Sequence, residues 1–64
     1  MGLGIYVDKK VSIIDTDGKL FVGTINDYLY PDENDLGIES IVLETTQGDL
    51  IEFVEDDIQT ITII

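Results

Sequence analysis

The chain has 64 residues, of which fourteen are Asp or Glu and three are Lys, and its formal net charge at pH 7 is −11. A field of this sign repels a phosphate backbone, so the composition disfavours nucleic-acid binding, which depends on Lys and Arg. The chain contains neither Cys nor His, which excludes disulfides, thiolate zinc sites and the commonest general base.

The length predicts a single domain over residues 1–64, close to the smallest size at which one hydrophobic core is sufficient. Apolar residues make up 44% of the chain, so we expect a folded domain despite the charge. No apolar run approaches the ~20 residues of a membrane-spanning helix, and MGLGIYVDKK lacks the basic end and the length of a secretory signal. We therefore expect a cytoplasmic protein that makes no membrane contact.

Turn-forming residues divide the chain at close intervals, with TDG at 16–18, PDEND at 31–35, QGD at 47–49 and EDD at 55–57. The intervening segments are rich in β-branched and aromatic residues, which is typical of strands. No segment has a sustained 3.6-residue apolar period, so we expect at most a single helical turn, within PDENDL or EDDI. The pattern predicts five strands, near residues 9–15, 19–29, 38–46, 49–54 and 58–63, and places Gln59, Ile61 and Ile63 on one face of the last.

The second of these segments is long and contains Gly23. A glycine inside a strand commonly marks a sharp bend or the close approach of another backbone. Five consecutive strands joined by short turns can close on themselves and hide most of their edges. We therefore predict an all-β fold, a small and strongly bent five-stranded antiparallel barrel. Phe21 and Phe53 should lie in its core, with Tyr28 and Tyr30 half-buried.

The stretch IIDTDGKLFVGTI, residues 13–25, resembles part of an EF-hand calcium loop. With Gly18 at the sixth position of such a loop, Asp15 and Asp17 fall on ligand positions. Ile13 and Thr24 then occupy the first and twelfth positions, which require carboxylates, so the stretch does not form an EF-hand. Acids from different turns could still converge into a weaker cation site, the candidates being Asp32, Glu33, Asp35, Glu55, Asp56 and Asp57.

Catalytic chemistry is not indicated. Asp15-Thr16-Asp17-Gly18 has one residue too many for the Asp-Thr-Gly of aspartic proteases, and the chain has no second copy. A pair of catalytic carboxylates also needs a cleft, which a domain of this size hardly provides. Ser12 and Ser40 lack a base of the usual kind. We predict a protein that is not an enzyme and has no cofactor.

The order Asp17-Gly18, Phe21, Gly23, Ile25 and Tyr28 resembles the first half of an Sm-like (LSm) domain. The resemblance continues through the apolar segment 41–43, a turn at Gly48 and two closing strands, and it covers about residues 9–63. It implies a bent five-stranded barrel that assembles into rings through its fourth and fifth strands and commonly binds RNA. The predicted edge strands carry Ile51 and Phe53 in the fourth strand and Ile61 and Ile63 in the fifth.

The positions at which the Sm-like family contacts RNA differ here. Leu29 and Glu33 stand where the family has Asp and Asn, and Val54 and Glu55 stand where it has an Arg-Gly pair. Glutamate cannot stack on or clamp a base as arginine does. We therefore predict a non-catalytic interaction module that forms homo-oligomers and binds a protein partner. Two alternatives are an Sm-like protein that binds RNA through an atypical surface and an acidic cation-binding module.

Overall fold

The computed structural model describes residues 2–31 and 37–64. Two 3₁₀ helices are present among these residues, at Leu3–Tyr6 and Glu55–Asp57. The strands are β1 (Lys10–Asp15), β2 (Leu20–Leu29), β3 (Ser40–Thr45), β4 (Leu50–Val54) and β5 (Ile58–Ile63). All five predicted strands are confirmed, as is the helical turn within EDDI. The 3₁₀ helix at Leu3–Tyr6 was not predicted, and most of PDENDL lies outside the described residues.

The five strands form one antiparallel sheet in the order β4-β3-β2-β1-β5, which confirms the predicted all-β fold. Within residues 2–31 and 37–64, β4 and β5 do not pair with each other, so the sheet is not closed and is a barrel only in a loose sense. The second 3₁₀ helix redirects the chain from β4 to the far side of β1. Backbone hydrogen bonds fix both of its ends, from Glu55 N to Glu39 O (2.9 Å) and from Thr16 N to Asp57 O (3.1 Å).

Gly23 lies where three strands meet, opposite Val11 of β1 and Thr45 of β3. A Cβ atom at this position would overlap the carbonyl oxygen of Glu44 and lie 2.9 Å from its carbonyl carbon. Only glycine therefore allows β2 and β3 to pair at their observed separation. Three residues later the register shifts between Ile25 and Asp27, which indicates a β-bulge that bends β2 further.

The core lies on one face of the sheet. Its fully buried members are mostly β-branched strand residues: Leu3, Val11, Ile13, Ile25, Ile41 and Leu43. Phe53 is 5% exposed and meets the partly buried Phe21 edge to face, with ring centroids 5.1 Å apart, so the prediction that both are core residues is confirmed. Tyr28 is half-buried as predicted. Tyr30 is 59% exposed because it lies beyond the end of β2, although its ring packs against that of Tyr28.

No helix within the two described ranges is long and apolar enough to cross a membrane.

Candidate functional site: the open edges of the sheet

The acidic turn after β1 is stabilised by its own side chain. Oδ1 of Asp15 accepts hydrogen bonds from the backbone N–H groups of Asp17 and Lys19, each 2.9 Å long. Gly18 completes the turn with a φ of +82°, which glycine adopts without strain. The Asp15 carboxylate thus satisfies backbone donors that the turn would otherwise leave without a partner.

Two kinds of site are not found among residues 2–31 and 37–64. There is no group of three or more Asp or Glu side chains placed to hold a metal ion, and there is no pocket. Of the cation ligands considered from the sequence, Asp32, Glu33 and Asp35 lie outside these residues. Ser40 is fully buried, and its hydroxyl has no hydrogen-bond partner among the described residues, so it is inaccessible to a substrate.

Glu39 joins three separate parts of the chain. Its Oε1 accepts a hydrogen bond from the backbone N–H of Leu3 (2.9 Å), and its Oε2 accepts one from the hydroxyl of Tyr28 (3.0 Å). Desolvation, followed by the hydrogen bond to Glu39, raises the pKa of the Tyr28 hydroxyl above its ordinary value of 10.0. Glu39 therefore holds the first 3₁₀ helix against β2. No sequence pattern indicates this contact, because Leu3 and Glu39 are 36 positions apart.

β5 is an outer strand, and its open side, which faces away from β1, presents the backbone groups of alternate residues. Ile64 donates its N–H to the carbonyl of Lys10 on β1 (2.9 Å), and Ser12 and Ile14 lie opposite Thr62 and Thr60. Because hydrogen-bonded and non-hydrogen-bonded pairs alternate in an antiparallel ladder, residues 60, 62 and 64 use their backbone groups toward β1. The N–H and C=O groups of Ile61 and Ile63 consequently point away from the sheet.

The backbone groups of β4 alternate in the same way, but there the even-numbered residues face outward. Thr45 N bonds to Asp49 O (2.8 Å) and Glu55 N to Glu39 O (2.9 Å), so odd-numbered residues of β4 bond to β3. The backbone groups on the open side of β4 are therefore those of Leu50, Glu52 and Val54.

The predicted assembly residues thus lie on the two edge strands, but in different situations. Ile51 and Phe53 direct their backbone groups to β3 and their side chains toward the core, and Phe53 is buried. Ile61 is partly buried against the core, and Ile63 is 52% exposed. These two residues combine apolar side chains with outward backbone groups.

A β-bulge changes the predicted face of one β5 residue. The register between β1 and β5 shifts so that Ile14 lies opposite Thr60 and Asp15 opposite Ile58, which leaves Gln59 without a partner in the ladder. Ile58 is buried and Ile61 packs on the core, whereas Gln59 is exposed. The prediction that Gln59 shares a face with Ile61 and Ile63 is wrong, because the extra residue displaces it from the alternation.

Comparison with known proteins gives no match, neither to a protein-family model nor to a curated protein nor to a solved structure.

Proposed function

We propose that the chain is a non-catalytic interaction module of Sm-like architecture, located in the cytoplasm, that self-associates through its open sheet edges and binds a protein partner. The observation that carries this proposal is the sheet order, because it leaves β4 and β5 as outer strands with backbone groups that can pair with another chain.

Apolar side chains beside these edges support the same proposal. Leu50 on β4 is 66% exposed, and Ile63 and Ile64 at the end of β5 are 52% and 60% exposed. Edge strands that remain single usually carry charge, Pro or short length as protection. Residues 58–64 contain neither charge nor Pro. Pairing with another strand would satisfy the backbone groups and cover the apolar side chains together.

The charge favours a protein over RNA as the further partner. Two of the three lysines, Lys9 and Lys10, are adjacent and exposed, and the third, Lys19, lies in the acidic turn after β1. This distribution provides no continuous positive groove of the kind that single-stranded nucleic acid requires. A basic protein surface, by contrast, is attracted by a chain of net charge −11.

The proposal is tested by light scattering coupled to size-exclusion chromatography, at low and high salt and over a wide concentration range. We expect assemblies larger than a monomer, and a monomer under every condition would refute self-association. A pull-down from cell extract, with and without nuclease, tests the partner. We expect recovery of proteins that survives nuclease, and nuclease-sensitive recovery of RNA would favour the RNA-binding alternative.

A further inference from the structure

The segment that forms the β5 edge is uncharged. Residues 58–64, IQTITII, contain no Asp, Glu or Lys, although the whole chain has fourteen acids and three lysines. Such segments, with high β-propensity and neither charge nor Pro, pair readily with other strands when they lie at a sheet edge. The charges that govern this edge must therefore come from its two ends.

The two ends of β5 carry opposite charges. Glu55–Asp57 precede the strand, and the hydrogen bond from Thr16 N to Asp57 O (3.1 Å) places the acidic turn after β1 beside them. At the other end, the hydrogen bond from Ile64 N to Lys10 O (2.9 Å) places Lys10 and the neighbouring Lys9 next to the end of the strand. Because Asp8 precedes these lysines, residues 8–10 carry a net charge of +1 (two lysines and one acid), whereas residues 15–19 and 55–57 carry −4 (one lysine and five acids). The edge is therefore strongly acidic where β5 begins and weakly basic where it ends.

This arrangement selects among the ways in which a second copy could pair. An antiparallel pairing of β5 with β5 brings the acidic end of each copy to the basic end of the other. A parallel pairing would bring like charges together. Pairing with β4 is also less complementary, because Asp49 and Glu55 flank that strand and Glu52 lies within it.

We propose that two copies of the chain pair through β5, antiparallel, about a two-fold axis at Thr62. This inference rests on the proposed self-association and names its geometry. Ile61 of each copy lies opposite Ile63 of the other, and because each such hydrogen-bonded pair exchanges two backbone bonds, their outward groups form about four bonds.

The side chains fit this register. Ile63 lies in the same cross-strand row as the buried Val11, so its exposed side chain continues the core face beyond the sheet edge. In the dimer it meets Ile61 of the second copy directly across the new strand pair, at a distance at which apolar side chains interact. One strand pair buries less than a stable interface of about 1,200–2,000 Å², so the dimer is reversible.

Cysteine cross-linking tests the register, because the native chain contains no Cys. At the axis the two copies of Thr62 form a non-hydrogen-bonded pair with Cα atoms about 4.5 Å apart, which a disulfide can span. We expect Thr62→Cys to give a disulfide-linked dimer under mild oxidation. The matched control is Thr24→Cys, an exposed strand position on β2, which should cross-link far more slowly. Equal rates for the two variants would overturn the proposal.

Charge exchange tests the complementarity of the ends. Lys9→Glu with Lys10→Glu changes the net charge from −11 to −15 (two changes of −2), and Asp56→Lys with Asp57→Lys changes it to −7 (two changes of +2). We expect each variant alone to dimerise at least tenfold more weakly than the native chain, and an equimolar mixture to recover native affinity. Tighter dimerisation of the −7 variant alone, which net charge by itself would favour, would overturn the proposal.

Light scattering on the native chain distinguishes failure of the proposed self-association from failure of the proposed β5 pairing. A monomer at every concentration and salt would refute both the self-association and its geometry. Larger assemblies without preferential cross-linking at Thr62 would refute the β5 pairing alone. Far-UV circular dichroism of each variant confirms that it retains the sheet.

Discussion

Substitution of Gly23 by Ala tests how closely β2 and β3 approach each other. The added Cβ would overlap the Glu44 carbonyl oxygen and lie 2.9 Å and 3.1 Å from the Glu44 carbonyl carbon and the Thr45 Cα. These are backbone atoms of a paired strand, so no side chain can rotate away. The contact is relieved only if the two strands separate, which would weaken the pairing of Thr24 with Glu44.

The expected loss is large for a domain of this size. Overpacking usually costs about 1–3 kcal/mol, and because backbone is involved we expect a loss of about 3 kcal/mol in the free energy of unfolding. At ~0.05–0.15 kcal/mol per residue, a 64-residue domain has a total of about 3–10 kcal/mol. The corresponding decrease in Tm is about 12–24 °C.

Urea denaturation followed by far-UV circular dichroism measures this loss, with Gly2→Ala as the matched control. A Cβ at Gly2 would meet nothing within 4 Å, so that variant should stay within about 0.5 kcal/mol of the native chain. A Gly23→Ala variant as stable as the control would refute the close approach of the two backbones.

Four further substitutions test other features. Ser40→Ala removes a fully buried hydroxyl that has no partner among the described residues, so we expect the free energy of unfolding to rise by about 1 kcal/mol in urea denaturation; a loss of that size would mean that the hydroxyl is hydrogen-bonded. For Tyr28→Phe, the raised pKa means that the folded state holds the phenolic proton more tightly than the unfolded state. The native chain is therefore more stable than this variant by an amount that is complete below pH 10.0 and is lost as the pH rises through the folded pKa. Denaturation at pH 8 and pH 11 should show the difference in the free energy of unfolding between the two chains narrowing. An unchanged difference would contradict the raised pKa of Tyr28, which arises from desolvation and then from the hydrogen bond to Glu39. Ile63→Pro removes an outward N–H and should abolish self-association in light scattering while preserving the fold, whereas Thr62→Pro removes a donor to β1 and should lower the free energy of unfolding by about 1–3 kcal/mol; equal effects of the two on stability would refute the assigned alternation.

The strands could be predicted from the sequence because their signals are local. Each apolar segment is bounded by turn residues within a few positions, and the observed strands lie inside the predicted ranges. Gly23 also has a local signal, since a glycine among β-branched residues indicates a bend. The contact that makes it necessary, with the Glu44 carbonyl, involves a residue 21 positions away and had to come from the structure.

Other features were missed because they depend on distant residues or on a single inserted residue. Leu3 is fully buried although it belongs to a 3₁₀ helix of only four residues, Leu3–Tyr6. Its backbone N–H is held by a hydrogen bond to the distant Glu39 carboxylate. The bulge at Gln59 reverses the expected alternation within β5. The sequence predicted which strands lie at the edges through a family resemblance, but the residues whose backbone groups face outward follow only from the hydrogen-bond pattern.

The hydrogen bond from the Leu3 amide to Glu39 lets the exchange rate of one amide hydrogen report on the attachment of the first 3₁₀ helix. Amide hydrogens exchange with solvent only when their hydrogen bond opens. The rate at which the Leu3 amide exchanges with deuterium therefore measures how often the first 3₁₀ helix detaches from β2.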